Sequence, residues 1–581
     1  MQGSGSIVRG RGREYYSYAQ DQWQIRRNLT LTYGLGWDIE TPWRNLFDDG
    51  EIMEAWRPGQ QSTIFPFMPP GYVYPGDKGI NKYGGMTIHY TNFAPRLGFA
   101  WSPGTSGNWS IRGGIGLYYN RTEEELALQT LVNPPLAVTS LAAGIISAPA
   151  FANPFATVNP GAVTVPTPSG PVTLQNGTAF NPFPYTPPAI RGTINPQVLA
   201  AMEPFGGSTA VSDPRFTVPR STNYNLTIER QLSKSTILSV GYVGNVGRHE
   251  EGAYDLNLAG VPPGVNPAAA AFGCPNGFAL TSSFCPQTPL GGAQVAGATQ
   301  YFMPVYGQPG LETTEYNSNY NSLQVELNRR FSNGLQVLAA YTWSRYFDYT
   351  SSLENGAFNY PGINPFNVKS MYGPSANDAP QRFVVSYSYT LPFYKLGHHW
   401  KRLTDDWNIV GIYTLQHGLP DAVYNFGETS LDCDPFASFF ACPDRANRTS
   451  ASLAIHDPRT YTINGVQNYW FNPAAFSVPA PGTGIGTANR NPFYGPGINY
   501  TDMAIEKNIH IDEARYFQLR LESFNTFNHA NFLNPATPGN PFTTVGEDVN
   551  SPSTFGRIFG VQTLTTNGDG RVVQLAAKFY F

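Results

Sequence analysis

The residues with types that could do chemistry fall into local groups. Four cysteines form two pairs, Cys274 with Cys285 and Cys433 with Cys442, each in a stretch rich in proline, glycine or asparagine. Zinc or thiol redox chemistry needs CxxC spacing or a cysteine–histidine cluster, because several donors must converge on one centre, and neither pair provides it. Two loop-stapling disulfides are expected instead, and with them an oxidising compartment such as the periplasm or the cell surface. Asp432 and Asp434 flank Cys433 and Asp444 follows Cys442. These hard oxygen donors could hold calcium, but without the twelve-residue calcium-loop pattern an acidic, solvated loop is the plainer assignment. His398 and His399 are adjacent, so on an extended chain they point oppositely and suit a polar turn better than a metal.

No GxSxG, HExxH, phosphate-binding loop, or GxGxxG between a strand and a helix is present. Gly113, Gly114 and Gly116 lie inside an apparent strand, where small residues relieve crowding. With no acid/base pair or activated nucleophile, the chain is not expected to be an enzyme, and no cofactor or metal is expected. Net charge is −4 and no block of like charges occurs, so nucleic acid is excluded as a partner.

Composition narrows the class further. Of 581 residues, 13% are charged and 14% aromatic, against a usual charged fraction of ~25% for a soluble domain. Water-exposed surface is thus short of charge. The most apolar stretch, LAVTSLAAGIISAPAFA from Leu136, is broken by Thr139, Ser140, Ser147 and Pro149 and cannot form a transmembrane helix. The start, MQGSGSIVRGRGREYYSYAQ, lacks the apolar core of a secretory signal and fits an internal piece of a longer precursor.

The elements that would position any site are strands. Leu29, Leu31, Tyr33, Leu35, Trp37 and Ile39 alternate with Thr30, Thr32, Gly34, Gly36, Asp38 and Glu40, giving one apolar and one small or polar face. The same period recurs in 323–328, 335–344 and 517–522. Such segments pair across short polar turns: 223–231 with 236–245 over LSKS, 320–330 with 335–345 over FSNG, and 502–508 with 515–525 over HIDEA. Less regular pairs are 15–24 with 29–40, 93–101 with 109–120, and 382–393 with 407–417, and 571–581 stands alone. The count is about thirteen strands, with boundaries good to about two to four residues.

Between hairpins lie long aperiodic connections: 41–90, 121–222, 246–319, 346–380, 418–501 and 526–570. Loops of this length are foreign to a compact soluble sheet. Alternating short and long connections are what a transmembrane β-barrel requires, with tight periplasmic turns and long extracellular loops. In hydrocarbon every backbone amide must be paired, so only helices or closed sheets cross it. Tyr15, Tyr16, Trp37, Trp109, Tyr118, Tyr119, Tyr341 and Trp343 near segment ends suit an aromatic girdle at headgroup level. The expected fold is therefore an all-β, antiparallel transmembrane barrel with long extracellular loops, embedded in outer-membrane lipid. Inward polar residues such as Glu229, Glu326, Arg520, Glu522 and Lys578 would line its bore, paired among themselves.

The carboxyl terminus, RVVQLAAKFYF, places Val573, Leu575, Ala577, Phe579 and Phe581 on one face and ends on an aromatic. It resembles the terminal signal that the barrel-assembly machinery recognises. Strand direction adds a parity argument. If short turns and the last residue are periplasmic, the first and the thirteenth of these strands both run downward, whereas a bacterial single-chain barrel has an even number. An odd number is then missing, and nine would complete a barrel of about 22, the size of a plugged transporter.

Several blocks carry a family resemblance: SYAQDQWQIRRNLTLTYGLGWD, NFAPRLGFAWSP with SIRGGIGLYYNR, STNYNLTIERQLSKSTILSVGYVGNVGRHE, YNSLQVELNRRFSNGLQVLAAYTWSRYFD, FNPAAFSVPAPGTGIGTANRN and FQLRLESFNTFNHANF. They resemble the carboxyl-terminal barrel of TonB-dependent outer-membrane receptors, nearest the Oar-like subgroup of acidobacteria and myxobacteria. The resemblance implies residues 1–14 as a cut or disordered start and 15–581 as the barrel portion, with the signal peptide, plug and TonB box outside this chain. It implies a receptor in the bacterial outer membrane that binds a ligand (siderophore, glycan or peptide) at its surface loops, with the TonB complex reached only through the missing front part. A surface adhesin or polymer-binding protein is the alternative.

Overall fold

A computed structural model describes the chain except residues 1, 4–9, 48–49, 52–53, 69, 82–85, 123–134, 136–138, 141–162, 168–169, 175–185, 187, 196–204, 256–305, 352–367, 396–400, 426–443, 480–485, 536–546, 563 and 565–569. All four cysteines, both adjacent histidines, and Asp432 and Asp434 fall outside the described residues. Thirteen principal strands are present: β1 Gly10–Arg26, β2 Leu29–Phe47, β3 Asn92–Trp101, β4 Trp109–Tyr119, β5 Arg220–Ser233, β6 Thr236–Asp255, β7 Tyr306–Ser332, β8 Leu335–Asp348, β9 Gln381–Thr390, β10 Trp407–Gln416, β11 Ile498–His510, β12 Tyr516–Phe524 and β13 Val572–Tyr580.

Each strand pairs antiparallel with its successor, from β1 through to β13, so the sheet is one continuous meander. Among the described residues no ladder joins β1 to β13. The tight turns cluster at one end. Between β7 and β8 the turn is Asn333-Gly334, with φ of 52° and 76°, the left-handed pair that matches the twist of a two-residue hairpin. Among the described residues no helix is long and apolar enough to cross a membrane.

Register decides which way each side chain points. Across β12 and β13, Phe517, Leu519 and Leu521 lie opposite Phe579, Ala577 and Leu575, while Gln518, Arg520 and Glu522 lie opposite Lys578, Ala576 and Gln574. Following the ladders strand by strand, Leu35, Leu97, Ile115, Leu226, Tyr242, Trp343, Leu519 and Leu575 all share the first face, and all are exposed. The apolar face is thus an open belt, against which nothing packs among the described residues. In water such a contiguous patch is strongly unfavourable; in lipid it is the required surface.

The buried core lies elsewhere, among the long connections. Phe471 is fully buried, with the rings of Phe493, Phe555 and Phe476 centred 4.7, 5.4 and 5.8 Å away. Val423, Ala446, Ala475 and Ala488 complete that cluster, and Ala55, Val73 and Ile80 form another. The described parts of these connections therefore form a cap with its own hydrophobic core.

Three expectations need correction. Strands β6 and β7 run for 20 and 27 residues, far beyond the ~10 that cross a membrane. Their outer halves escaped the alternation pattern because above the lipid each side chain answers to the cap and not to oil and water. The long connection between β4 and β5 also contains a strand, Phe205–Ser212, which pairs with β7 in parallel. Finally, Tyr16 and Tyr118 belong to the inner face, opposite Asp38 and Ser221, and not to the outer girdle.

Candidate ligand-binding site at the barrel mouth

At the cap end of β10 the chain turns through His417 and Gly418 into a short ladder in which Pro420 and Asp421 pair with Tyr494 and Phe493. A Cβ on Gly418 would overlap the Gly495 carbonyl, so the two segments approach as closely as backbone allows. The crossing leaves a pocket lined by His417, Leu453, Ile455, Trp470, Phe493 and Tyr494. The imidazole of His417 stands edge-on to the Tyr494 ring, centroids 5.0 Å apart. Its Nδ1 is 3.0 Å from the Gly418 carbonyl; a carbonyl only accepts, so Nδ1 carries a proton, and in the neutral ring Nε2 is then the acceptor. Trp470 is held by its indole N–H, which donates to the Tyr494 carbonyl at 2.8 Å.

Tyr494 is fixed in turn. Its hydroxyl donates to Asp378 Oδ2 at 2.6 Å and accepts from Arg345 Nη1 at 3.0 Å. Burial, reinforced by Asp378, pushes that hydroxyl well above the usual phenol range, so it remains a donor. Asp378 also accepts the Tyr346 backbone N–H at 2.8 Å. Beside it, Arg490 pairs with Asp348 and donates to Ser351 Oγ at 2.6 Å. The pocket therefore has a rigid polar floor and aromatic walls. Burial raises the Asp421 carboxyl to about 8 despite hydrogen bonds from the Ala422 N–H and the Asn534 side chain. At neutral pH it is largely an uncharged acid.

On the bore side, Arg520 lies 3.2 Å from Glu506 and 2.7 Å from Glu522, and Arg112 lies 3.5 Å from Glu229. Charge pairing inside the bore was expected, but the sequence did not identify Arg96. Its guanidinium lies 4.6 Å from the Tyr118 ring centre and donates to the Tyr16 hydroxyl at 2.6 Å. Only the register shows that these three share a face. Leu338, Val410 and Ile412 form an apolar patch on the same inner wall, next to Arg520 and Glu522. Val573, Leu575 and Phe579 point outward along β13, and Phe581 lies exposed just past its end. Among the described residues no group of three or more cysteine, histidine or acidic side chains is placed to hold a metal.

The sequence matches the family described as outer membrane beta barrel domain over residues 2–574. The chain belongs to that family. Comparison with curated proteins finds no match. Solved structures with a related course are the outer membrane transporter YddB from Escherichia coli (7% identity, TM-score 0.39, covering 98% of this chain and 55% of that one); the FrpB iron transporter from Neisseria meningitidis (9%, 0.39, 99% and 46%); and the ferripyoverdine receptor from Pseudomonas aeruginosa (10%, 0.39, 99% and 39%). The chain spans about half or less of these structures' lengths. As an outer membrane β-barrel protein it lies in the bacterial outer membrane, where the exposed apolar belt meets lipid.

Proposed function

We propose that this β-barrel chain is the receptor part of a TonB-dependent outer-membrane transporter of the Oar-like subgroup. In this reading it captures a siderophore, glycan or peptide at its extracellular mouth. The observation that carries the proposal is the pocket of His417, Trp470 and Tyr494, built on a hydrogen-bonded floor directly above an apolar-belted sheet. Flat aromatic walls stack on rings or peptide planes, and the His417 Nε2 accepts from a ligand hydroxyl or amide.

Residues 15–581 would then supply thirteen strands of the wall. Because β1 and β13 run in the same direction, antiparallel closure needs an odd number of further strands. These, with the plug and TonB box, would be contributed by polypeptide other than residues 15–581. Cys274 with Cys285 and Cys433 with Cys442 would staple loops of the cap, and the outward row ending at Phe581 would be the strand recognised by the barrel-assembly machinery.

The test is uptake in cells carrying the whole receptor, using fluorescent ferric siderophore, oligosaccharide and peptide probes. One probe should accumulate, and accumulation should fall at least tenfold on Trp470→Ala and vanish with a protonophore. Binding that survives the protonophore with no accumulation would instead identify an adhesin or polymer-binding protein.

A further inference from the structure

One row of positions crosses the wall of the cap: Val73 pairs with Ala55, Ala55 with Ser212, Ser212 with Glu312, and Glu312 with Ala253. Directly paired residues on adjacent strands share a face, so Ser212 and Glu312 stand side by side. Glu251 sits in the bulge between Glu250 and Gly252 on β6, close enough for its charge to act on Glu312. Ser212 and Glu312 are fully buried and Glu251 nearly so. Neither carboxylate oxygen of Glu312 has a hydrogen-bond partner, and neither does the Ser212 hydroxyl. The nearest described core is the apolar Ala55, Val73, Ile80 cluster. Native folds rarely leave buried polar atoms in such a state, and several together mark an unmet ligand.

We propose that Glu312, Glu251 and Ser212 form a binding site for a hard divalent cation, calcium. Two carboxylates balance its charge, and the hydroxyl and nearby backbone carbonyls fill further positions. Every donor is oxygen, which suits calcium and disfavours metals that prefer sulfur or imidazole. The ion meets the need that no side chain meets for Glu312, where burial and then the Glu251 charge hold the carboxyl well above the ordinary range. Only two acidic ligands converge, consistent with the absence of any three-ligand cluster among the described residues, so affinity should resemble that of extracellular modules, about 10⁻⁴–10⁻³ M. Calcium at this point ties Phe205–Ser212 and the Ala55 segment to the outer halves of β6 and β7, stapling the cap to the wall. This does not depend on what the mouth pocket binds.

The experiment uses the full chain in detergent, with protease resistance of the cap and tyrosine-sensitised terbium luminescence as readouts. Calcium, but not equal magnesium, should slow cap cleavage severalfold and compete terbium off one site per chain. Glu312→Gln should abolish both responses while cleaving more slowly than wild type in chelator, because a neutral amide needs no counter-ion. Ser212→Ala should keep the response at severalfold weaker affinity. A wild-type cap indifferent to calcium that stabilises on acidification would show Glu312 to be a protonated acid and overturn the site, as would calcium binding retained by Glu312→Gln.

Discussion

Arg490 and Asp348 meet as an ion pair across 142 residues of chain, with side chains 9% and 1% exposed. Their contact fastens the segment that carries the mouth pocket to the end of β8. Removing one partner leaves the other charge buried and uncompensated, which typically costs about 3–5 kcal/mol. Arg490→Ala should therefore loosen the cap by that order, read as a lower denaturant midpoint for Trp470 fluorescence, while the heat-modifiable gel mobility of the barrel is unchanged. Arg490→Lys keeps the charge, loses the fork to Ser351, and should fall between.

Asp421 gives the cap a pH dependence with a definite sign. Its folded-state value of about 8 lies above the ~3.9 of an exposed aspartate. A group raised in the folded state contributes its full stability below the unfolded value and loses it as pH climbs toward the folded one. Cap stability should thus decline between about pH 4 and pH 8, and Asp421→Asn should flatten that decline in a thermal melt series. An unchanged slope in the variant would mean that another group is responsible.

Phe471 sits at the centre of the cap core, and truncating a buried aromatic typically costs about 3–5 kcal/mol. Phe471→Ala should melt the cap ahead of the barrel, separating two transitions that differential calorimetry can resolve. It should also abolish ligand capture at the mouth, since Phe493, against which Phe471 packs, lines the pocket.

How far the sequence could be read follows from which solvent each side chain meets. Inside the membrane, lipid on one face and a polar bore on the other impose a period of two. The pairs around 223–245, 320–345 and 502–525 were legible for that reason, as was the outward set of Leu575 and Phe579. Above the membrane the rule lapses: the outer half of β7, where Glu312 lies, alternates against nothing uniform and read as loop. The mouth pocket was hidden: Trp470, Phe493 and Tyr494 lie in the connection 418–501, which carries no period. His417 belongs to the opposite side of that pocket and gave no signal at all, because it depends on a ladder between residues more than seventy apart in sequence. Arg96 was hidden for a related reason. Tyr16 and Tyr118 looked like girdle residues until register placed them inward.

The facing of β13 makes the membrane assignment itself testable with neighbouring residues. Leu575 is 83% exposed on the outer face, whereas Gln574 points inward and bonds Glu522. A charge facing lipid near the midplane of a barrel strand costs about 2–4 kcal/mol, and one facing the bore costs little. Leu575→Arg should impair assembly, leaving unfolded protein on semi-native gels. Gln574→Arg, one residue earlier and opposite Glu522, should assemble as wild type or better. Equal assembly of both variants would remove the lipid belt.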